Sequence, residues 1–66
     1  MTIRLNGEPY EIPEPLTVAG LLERLHIDAR RVAVELNLEI VKRSRYESAT
    51  ITEGDEVEVV NFVGGG

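Results

Sequence analysis

The residues best suited to chemistry in this 66-residue sequence are three glycines, Gly64, Gly65 and Gly66, which follow Val63. A carboxylate on a final glycine has no side chain beside it, and two further glycines add none that would block entry into a narrow pocket. Three residues extend at most about 10 Å, which is enough for Gly66 to enter another protein's active site. We therefore expect residues 1–63 to form a folded domain and residues 64–66 a flexible tail. A frayed end or a remnant of cloning is the equally weighted alternative.

Length and composition narrow the classes of protein. A chain of this size forms one small domain that buries only about 60% of the surface exposed on unfolding, which leaves no room for a deep active-site cleft. Cysteine is absent, which excludes disulfides and cysteine zinc sites and fits a reducing cytoplasm. The formal net charge of −5 disfavours nucleic acid as a partner and favours a protein with a basic docking surface. Because no apolar stretch approaches the ~20 residues of a membrane span and no signal peptide is recognisable, we expect no membrane association.

The first half of the sequence predicts a hairpin followed by a helix. Residues 1–5 alternate between apolar and polar types, Asn6-Gly7 is typical of a type I′ turn, and residues 8–12 form the returning strand. Pro9 cannot donate a ladder hydrogen bond, so this second strand is expected at a sheet edge. Thr17 is the predicted N-cap of a helix that ends near His26. The apolar stripe of this helix consists of Val18, Leu21, Leu22 and Leu25.

The second half predicts three more strands, at residues 32–36, 39–41 and 56–62, with a turn at Asn37-Leu38 between the first two. The last strand, which contains three β-branched valines, is expected in the centre of the sheet, beside the first. The element order predicts an α+β protein of the β-grasp class. We expect a mixed sheet of four to five strands with one main helix packed on one face.

The last strand is the candidate docking element. Its period of two places Val57 and Val59 towards the core. The residues on its other face are Glu56, Glu58, Val60 and Phe62. Exposed apolar residues next to the glycine tail are typical of a partner site, so we expect these four to contact a partner. An equally weighted alternative is that Phe62 folds back onto the core.

Two other groups of residues are weaker candidates. Lys42, Arg43 and Arg45 form a basic cluster near Tyr46, and a solvated loop is favoured over a contact with an acidic patch or a nucleotide. His26 is the only histidine, and without a second histidine or a cysteine a metal or catalytic role is not expected. A left-handed position at the end of the helix is its expected role.

Segments along the whole length resemble one known family. They are Ile3-Arg4-Leu5-Asn6-Gly7-Glu8, Thr17-Val18-Ala19, Val32-Ala33-Val34-Glu35-Leu36-Asn37, Gly54-Asp55-Glu56-Val57-Glu58-Val59-Val60 and Phe62-Val63-Gly64-Gly65-Gly66. The most specific feature is the Gly-Asp-x-Val-Glu strand that runs on to the glycines. The chain resembles the ThiS family, the ubiquitin-like sulfur carriers of thiamine biosynthesis. It departs from the usual family pattern at Leu38, Lys42 and Tyr46, where relatives more often carry glycine, proline and tryptophan.

The resemblance implies a carrier and not an enzyme. A partner adenylyltransferase (ThiF-like) would activate the Gly66 carboxylate with ATP, so the carrier itself would bind no cofactor and no metal. Sulfur from a donor such as a cysteine desulfurase would displace AMP and leave a thiocarboxylate on Gly66. A thiazole synthase (ThiG-like) would then take that sulfur. The resemblance also implies that Gly64 and Gly65 enter the partner's active site, and we expect a cytoplasmic protein that is monomeric when free.

Alternatives to this function remain open in the sequence. The small subunit of molybdopterin synthase and carriers for tRNA thiolation share the chemistry and differ in the sulfur acceptor. The short length favours the thiamine carrier, since molybdopterin synthase subunits usually carry additional loops. A ubiquitin-like modifier that forms amide bonds to lysines is a rival from a different class. An inert binding domain with a glycine remnant is another.

Overall fold

The computed structural model describes residues 1–62, so the predictions for residues 63–66, including the domain boundary after residue 63, lie outside the described residues. The regular elements of this part are β1 (Thr2–Leu5), β2 (Glu8–Glu11), β3 (Leu16–Thr17), α1 (Val18–Arg24), β4 (Val32–Leu36), β5 (Glu39–Val41), β6 (Thr50–Ile51) and β7 (Glu56–Asn61). Short 3₁₀ turns at Ala29–Arg31 and Arg43–Arg45 precede and follow the β4–β5 hairpin. The predicted second and last strands are each one residue shorter than expected.

Five strands form one mixed sheet in the order β2-β1-β7-β4-β5. Strand β7 runs parallel to β1 and antiparallel to β4, so the last strand lies in the centre of the sheet, as the sequence predicts. Strand β2 lies at an edge, where the missing N–H of Pro9 costs no ladder hydrogen bond. With α1 packed on one face, this arrangement confirms the predicted α+β β-grasp fold.

The core lies between α1 and the sheet. It contains the buried residues Ile3, Ile12, Val18, Leu21, Leu22, Val32, Val34, Tyr46, Ile51 and Val57. The three helix residues belong to the predicted apolar stripe, whose last member, Leu25, is only half-buried. Tyr46 is only 5% exposed, and its hydroxyl donates to the carbonyl of Val32 at 3.4 Å. Tyr46 is therefore a core residue, although it lies directly after the basic segment in the sequence.

The start of α1 is held by a second sheet that the sequence did not predict. Strands β3 and β6 pair antiparallel, with Leu16 opposite Ile51 and Thr17 opposite Thr50. Thr17 also caps the helix, because its hydroxyl accepts from the N–H of Gly20 at 2.9 Å. Two-residue strands are too short for a periodic sequence pattern, so only the folded chain reveals this pairing.

The end of α1 follows the prediction closely. The helix ends at Arg24, and His26 adopts a φ of 61° while its N–H donates to the carbonyl of Glu23 at 3.0 Å. A left-handed residue after the last turn satisfies a helix carbonyl and redirects the chain. His26 therefore has the structural position that the sequence predicts for it.

Candidate functional site

Strand β7 carries the predicted docking residues and leads to the glycines. Its core face contributes Val57, which is fully buried, and Val59, which packs against the core. Its other face carries Glu56, Glu58 and Val60. Because β7 has a neighbour on each side, its position in the molecule is determined by both β1 and β4.

Two asparagine side chains hold β7 in place. The Asn37 amide oxygen accepts from the N–H of Glu56 at 2.9 Å. The Asn6 amide oxygen accepts from the N–H of Val59 at 2.8 Å, two residues beyond the last residue of β7 that pairs with β1. Both asparagines have a φ of 52° in hairpin turns, so each residue shapes a turn and also fixes the central strand. The sequence predicts the turns, but the contacts to β7 appear only in the structure.

Phe62 lies directly beyond the end of β7. Its N–H donates to the carbonyl of Arg31 at 2.9 Å, which continues the hydrogen bonding to the chain before β4 by one residue. The side chain is 51% exposed, compared with 55% for Val60. The alternative in which Phe62 folds back onto the core is therefore wrong, because the alternation of β7 directs Phe62 to the same face as Val60.

The sheet face that α1 does not cover, called the open face below, brings side chains from four strands together. Across the β4–β7 pair, Glu35 lies opposite Glu58, and Ala33 lies opposite Val60. Ile40 of β5 lies opposite Glu35 and is 74% exposed. On the other side of β7, Arg4 of β1 lies opposite Glu56. The open face thus has an apolar part near Phe62 and an acidic part further along β7.

The four predicted docking residues therefore share one face, and their docking role stays a prediction. Sequence reasoning missed four residues of this face, namely Arg4, Ala33, Glu35 and Ile40. The period-two pattern of the third predicted strand could have assigned Ala33 and Glu35 to it. Ile40 required the register between β4 and β5. The predicted sulfur-bearing residue Gly66 and the tail residues Gly64 and Gly65 lie outside the described part of the chain.

A charged turn lies beside the end of β7. Asp28 accepts from the Arg30 backbone N–H at 2.9 Å and from the Arg30 guanidinium at 3.2 and 3.0 Å. The side-chain hydrogen bonds, followed by the backbone one, lower the pKa of the Asp28 carboxyl from 3.8 to about 2. Arg31 lies further from the same carboxylate, at 4.0 Å. Asp28 therefore remains ionised at neutral pH and orders the turn that meets Phe62.

The described residues offer little for a bound metal or cofactor. Within residues 1–62, no three His, Asp, Glu or Cys side chains form a group that could hold a metal ion. A shallow depression of about 480 Å³ lies beside β5, and its lining includes Lys42, Ser44 and Arg45. Over the same part of the chain, no helix has the length and apolar character needed to cross a membrane.

Comparison with known proteins identifies relatives over the whole chain. A model of the ThiS family matches residues 3–66. The sulfur carrier protein ThiS of Bacillus subtilis is 34% identical over 65 residues, which cover 97% of this chain and 98% of the relative. The thiazole synthase of Paramagnetospirillum magneticum is 46% identical over all 66 residues. This chain spans only 20% of the length of that synthase.

A solved structure agrees with these sequence matches. The crystal structure of the thiamine biosynthesis protein ThiS from Geobacter metallireducens superimposes with a TM-score of 0.88. The two sequences are 39% identical, and the alignment covers 100% of both chains. Because the family model covers nearly all of the sequence and the fold agrees over the same length, the chain belongs to the ThiS family.

Proposed function

We propose that this protein is the sulfur carrier of thiamine biosynthesis and that the carboxylate of Gly66 carries the sulfur. The observation that supports this most directly is the ThiS family match, which extends through the glycines to residue 66. The described structure adds a central strand that is paired on both sides and ends at Asn61, five residues before Gly66. A carrier needs such a fixed base, because its partner must recognise the folded domain while it works on the tail.

The chemistry of the proposed carrier takes place in its partners. A carboxylate reacts poorly with a sulfur nucleophile because it would have to expel an oxide. An adenylyltransferase removes this barrier when it joins the Gly66 carboxylate to the α-phosphate of ATP and releases pyrophosphate. A donor such as a cysteine desulfurase then presents sulfur as a persulfide, whose outer sulfur displaces AMP. A thiol such as free cysteine cleaves the resulting acyl disulfide and leaves the thiocarboxylate. The carrier itself contributes an unhindered acyl group that can enter a site from which water is excluded. It contributes no catalytic residue.

The proposed acceptor of the sulfur is a thiazole synthase. Its support is the 46% identity between this chain and one fifth of the Paramagnetospirillum magneticum thiazole synthase, because a related segment is then part of a protein with that name. We also propose that the carrier acts in the cytoplasm and that it is a monomer when it is free.

The open face is the proposed docking surface for these partners. Val60 and Phe62 supply its apolar part, and Glu56 and Glu58 supply acidic neighbours on the same strand. We extend the proposed surface to Ala33 and Glu35 of β4 and Ile40 of β5, which lie on the same face of the sheet. A partner that handles the tail meets this face because Phe62, at its apolar end, immediately precedes the residues that lead to Gly66.

Mass spectrometry of the intact protein tests the proposed function. The protein is incubated with the adenylyltransferase of the same organism, ATP, a cysteine desulfurase and cysteine. We expect a gain of about 16 Da, the difference between sulfur and oxygen at one acyl position, on a fragment that contains Gly66. The thiocarboxylate should then support thiazole formation by the thiazole synthase. An unchanged mass would contradict the proposal, and high-mass conjugates to lysines would instead identify a protein modifier.

A further inference from the structure

The chain leaves the sheet beside a segment rich in basic residues. The Phe62 N–H donates to the carbonyl of Arg31, and the guanidinium of Arg43 donates to the carbonyl of Arg30 at 3.4 Å. Lys42 follows the last residue of β5, in extended backbone with φ −67° and ψ 145°. We call Arg30, Arg31, Lys42 and Arg43 the exit cluster. It contains four of the seven basic residues of the chain.

The fold itself does not explain this clustering. Arg30 is paired with Asp28, and Arg31 lies at the limit of a salt bridge with the same carboxylate. Within residues 1–62, Lys42 and Arg43 have no carboxylate within 4.0 Å. The chain has 12 acidic residues, and within the described part Asp28 is the one that lies within 4.0 Å of the exit cluster. Like charges that lie close together without partners repel one another. A contact with another molecule therefore explains their position better than the stability of the fold.

Positive and negative residues lie towards opposite ends of the open face. The end of the open face near Phe62 adjoins the exit cluster, and the further part carries Glu35, Glu56 and Glu58, with Arg4 as the one basic residue among them. A chain with a net charge of −5 therefore presents a positive region where its tail begins. Such a separation of charge orients a partner before contact and favours one orientation over the reverse.

We propose that the exit cluster docks on an acidic rim around the channel of the adenylyltransferase that receives the tail. This inference rests on the proposed carrier function. The alternative ligand, the phosphates of ATP, is disfavoured by reach. The four residues from Phe62 to Gly66 span up to about 14 Å when extended, a distance longer than a side chain. A carboxylate that meets ATP at the end of an inserted tail leaves the exit cluster at the channel mouth.

Charge reversal at two matched positions tests the inference. Arg43→Glu changes the exit cluster, while Arg24→Glu makes the same change in net charge on the exposed surface of α1. Association of each variant with the adenylyltransferase of the same organism is measured without ATP at low and high salt. We expect Arg43→Glu to slow association about three- to tenfold at low salt, and Arg24→Glu less than about twofold. The difference should shrink at high salt because the rim charges are screened.

Further variants separate charge from folding. Arg43→Lys should associate at nearly the wild-type rate, since it keeps the positive charge. If Arg43→Glu lowers the melting temperature, Lys42→Glu provides a second reversal in the cluster without loss of the Arg43 hydrogen bond. Equal association rates for the cluster variants and Arg24→Glu would overturn the inference. In a separate ATP–pyrophosphate exchange assay, a rise confined to the KM for ATP would also overturn the inference and would assign the cluster to the nucleotide.

Failure of this inference is distinguishable from failure of the proposed function. If the wild-type protein gains sulfur but the cluster variants associate like the control, only the acidic-rim inference is wrong. If the wild-type protein gains no sulfur with all components present, the carrier function itself is wrong.

Discussion

Phe62 exposes about half of its surface at the apolar end of the open face. An aromatic ring in this state contributes little to the core and is available as an anchor for a partner. We expect Phe62→Ala to weaken binding to the adenylyltransferase by about 2 kcal/mol, as truncation of a hot-spot aromatic does. The melting temperature should change little. Calorimetric titration with the partner, together with a thermal melt of the free variant, measures both quantities.

A matched control for Phe62 is available at the other end of the sheet. Leu38 is 77% exposed and lies in the turn between β4 and β5, away from the end of β7. Leu38→Ala should leave partner affinity within about 0.5 kcal/mol of wild type, as expected for a surface change outside the contact. A large loss of stability with unchanged affinity in Phe62→Ala would show that the ring serves the fold.

Leu38 is also a residue in an unfavourable backbone conformation. Its φ of 71° lies in the left-handed region, which costs a residue with a Cβ about 1–2 kcal/mol. Glycine avoids this cost, but its greater freedom in the unfolded chain offsets about 0.5–1 kcal/mol. We expect Leu38→Gly to raise the free energy of unfolding by about 0.5–1 kcal/mol, measured by urea denaturation. An unchanged or lower stability would mean that the exposed Leu38 side chain makes a compensating contact.

At the scale of elements, the pairing of β4 with β7 places two carboxylates face to face. Glu35 and Glu58 are directly opposite one another, and directly opposed like charges destabilise a sheet. Neither residue forms a salt bridge within residues 1–62. The pair is therefore better explained by a basic region on the docking partner than by the stability of the free domain.

Reversing one of these charges should separate stability from binding. Glu58→Lys turns the pair into an attractive one and should stabilise the free protein by up to about 1 kcal/mol. The same change should slow association with the adenylyltransferase, with an effect that shrinks as salt rises. Glu23→Lys, which makes an equal change in net charge on α1, is the control. Wild-type association of Glu58→Lys at low salt would contradict a role for this strand in docking.

At the scale of the whole molecule, the proposed function requires the domain to present the acyl carbon of Gly66 at a defined distance from the docking surface. We expect deletion of Gly66, or addition of one residue after it, to abolish activation while folding remains intact. The physical reason is that one residue moves the acyl carbon by about 3.5 Å, too far for in-line reaction with ATP. ATP–pyrophosphate exchange with the adenylyltransferase measures activation, and a thermal melt measures folding. Normal ATP–pyrophosphate exchange by the deletion variant would exclude the Gly66 carboxylate as the acceptor of the adenylyl group.

Much of the fold could be predicted because its signals are local. The Asn6-Gly7 turn, the Thr17 cap and the left-handed His26 each depend on the backbone preferences of one or two residues. The faces of β7 follow from alternation along a single strand, which is why the outward positions of Val60 and Glu58 agree with the sequence pattern. The family resemblance rests on the same segments. It therefore adds the proposed chemistry of Gly66 and leaves the predicted fold of the domain unchanged.

Tertiary structure alone decided which of these local pieces meet. The sequence determined the β-grasp fold, the central position of the last strand, and which residues of that strand point away from the core. The sequence did not determine that Asn6 hydrogen-bonds to β7, that Tyr46 is buried or that Glu35 lies opposite Glu58. It also did not determine that Phe62 lies beside the exit cluster. Each of these contacts joins residues far apart in the chain, and no local preference encodes the register between them. That register is chosen when the whole core packs, because only one alignment of the strands buries all of its apolar faces together.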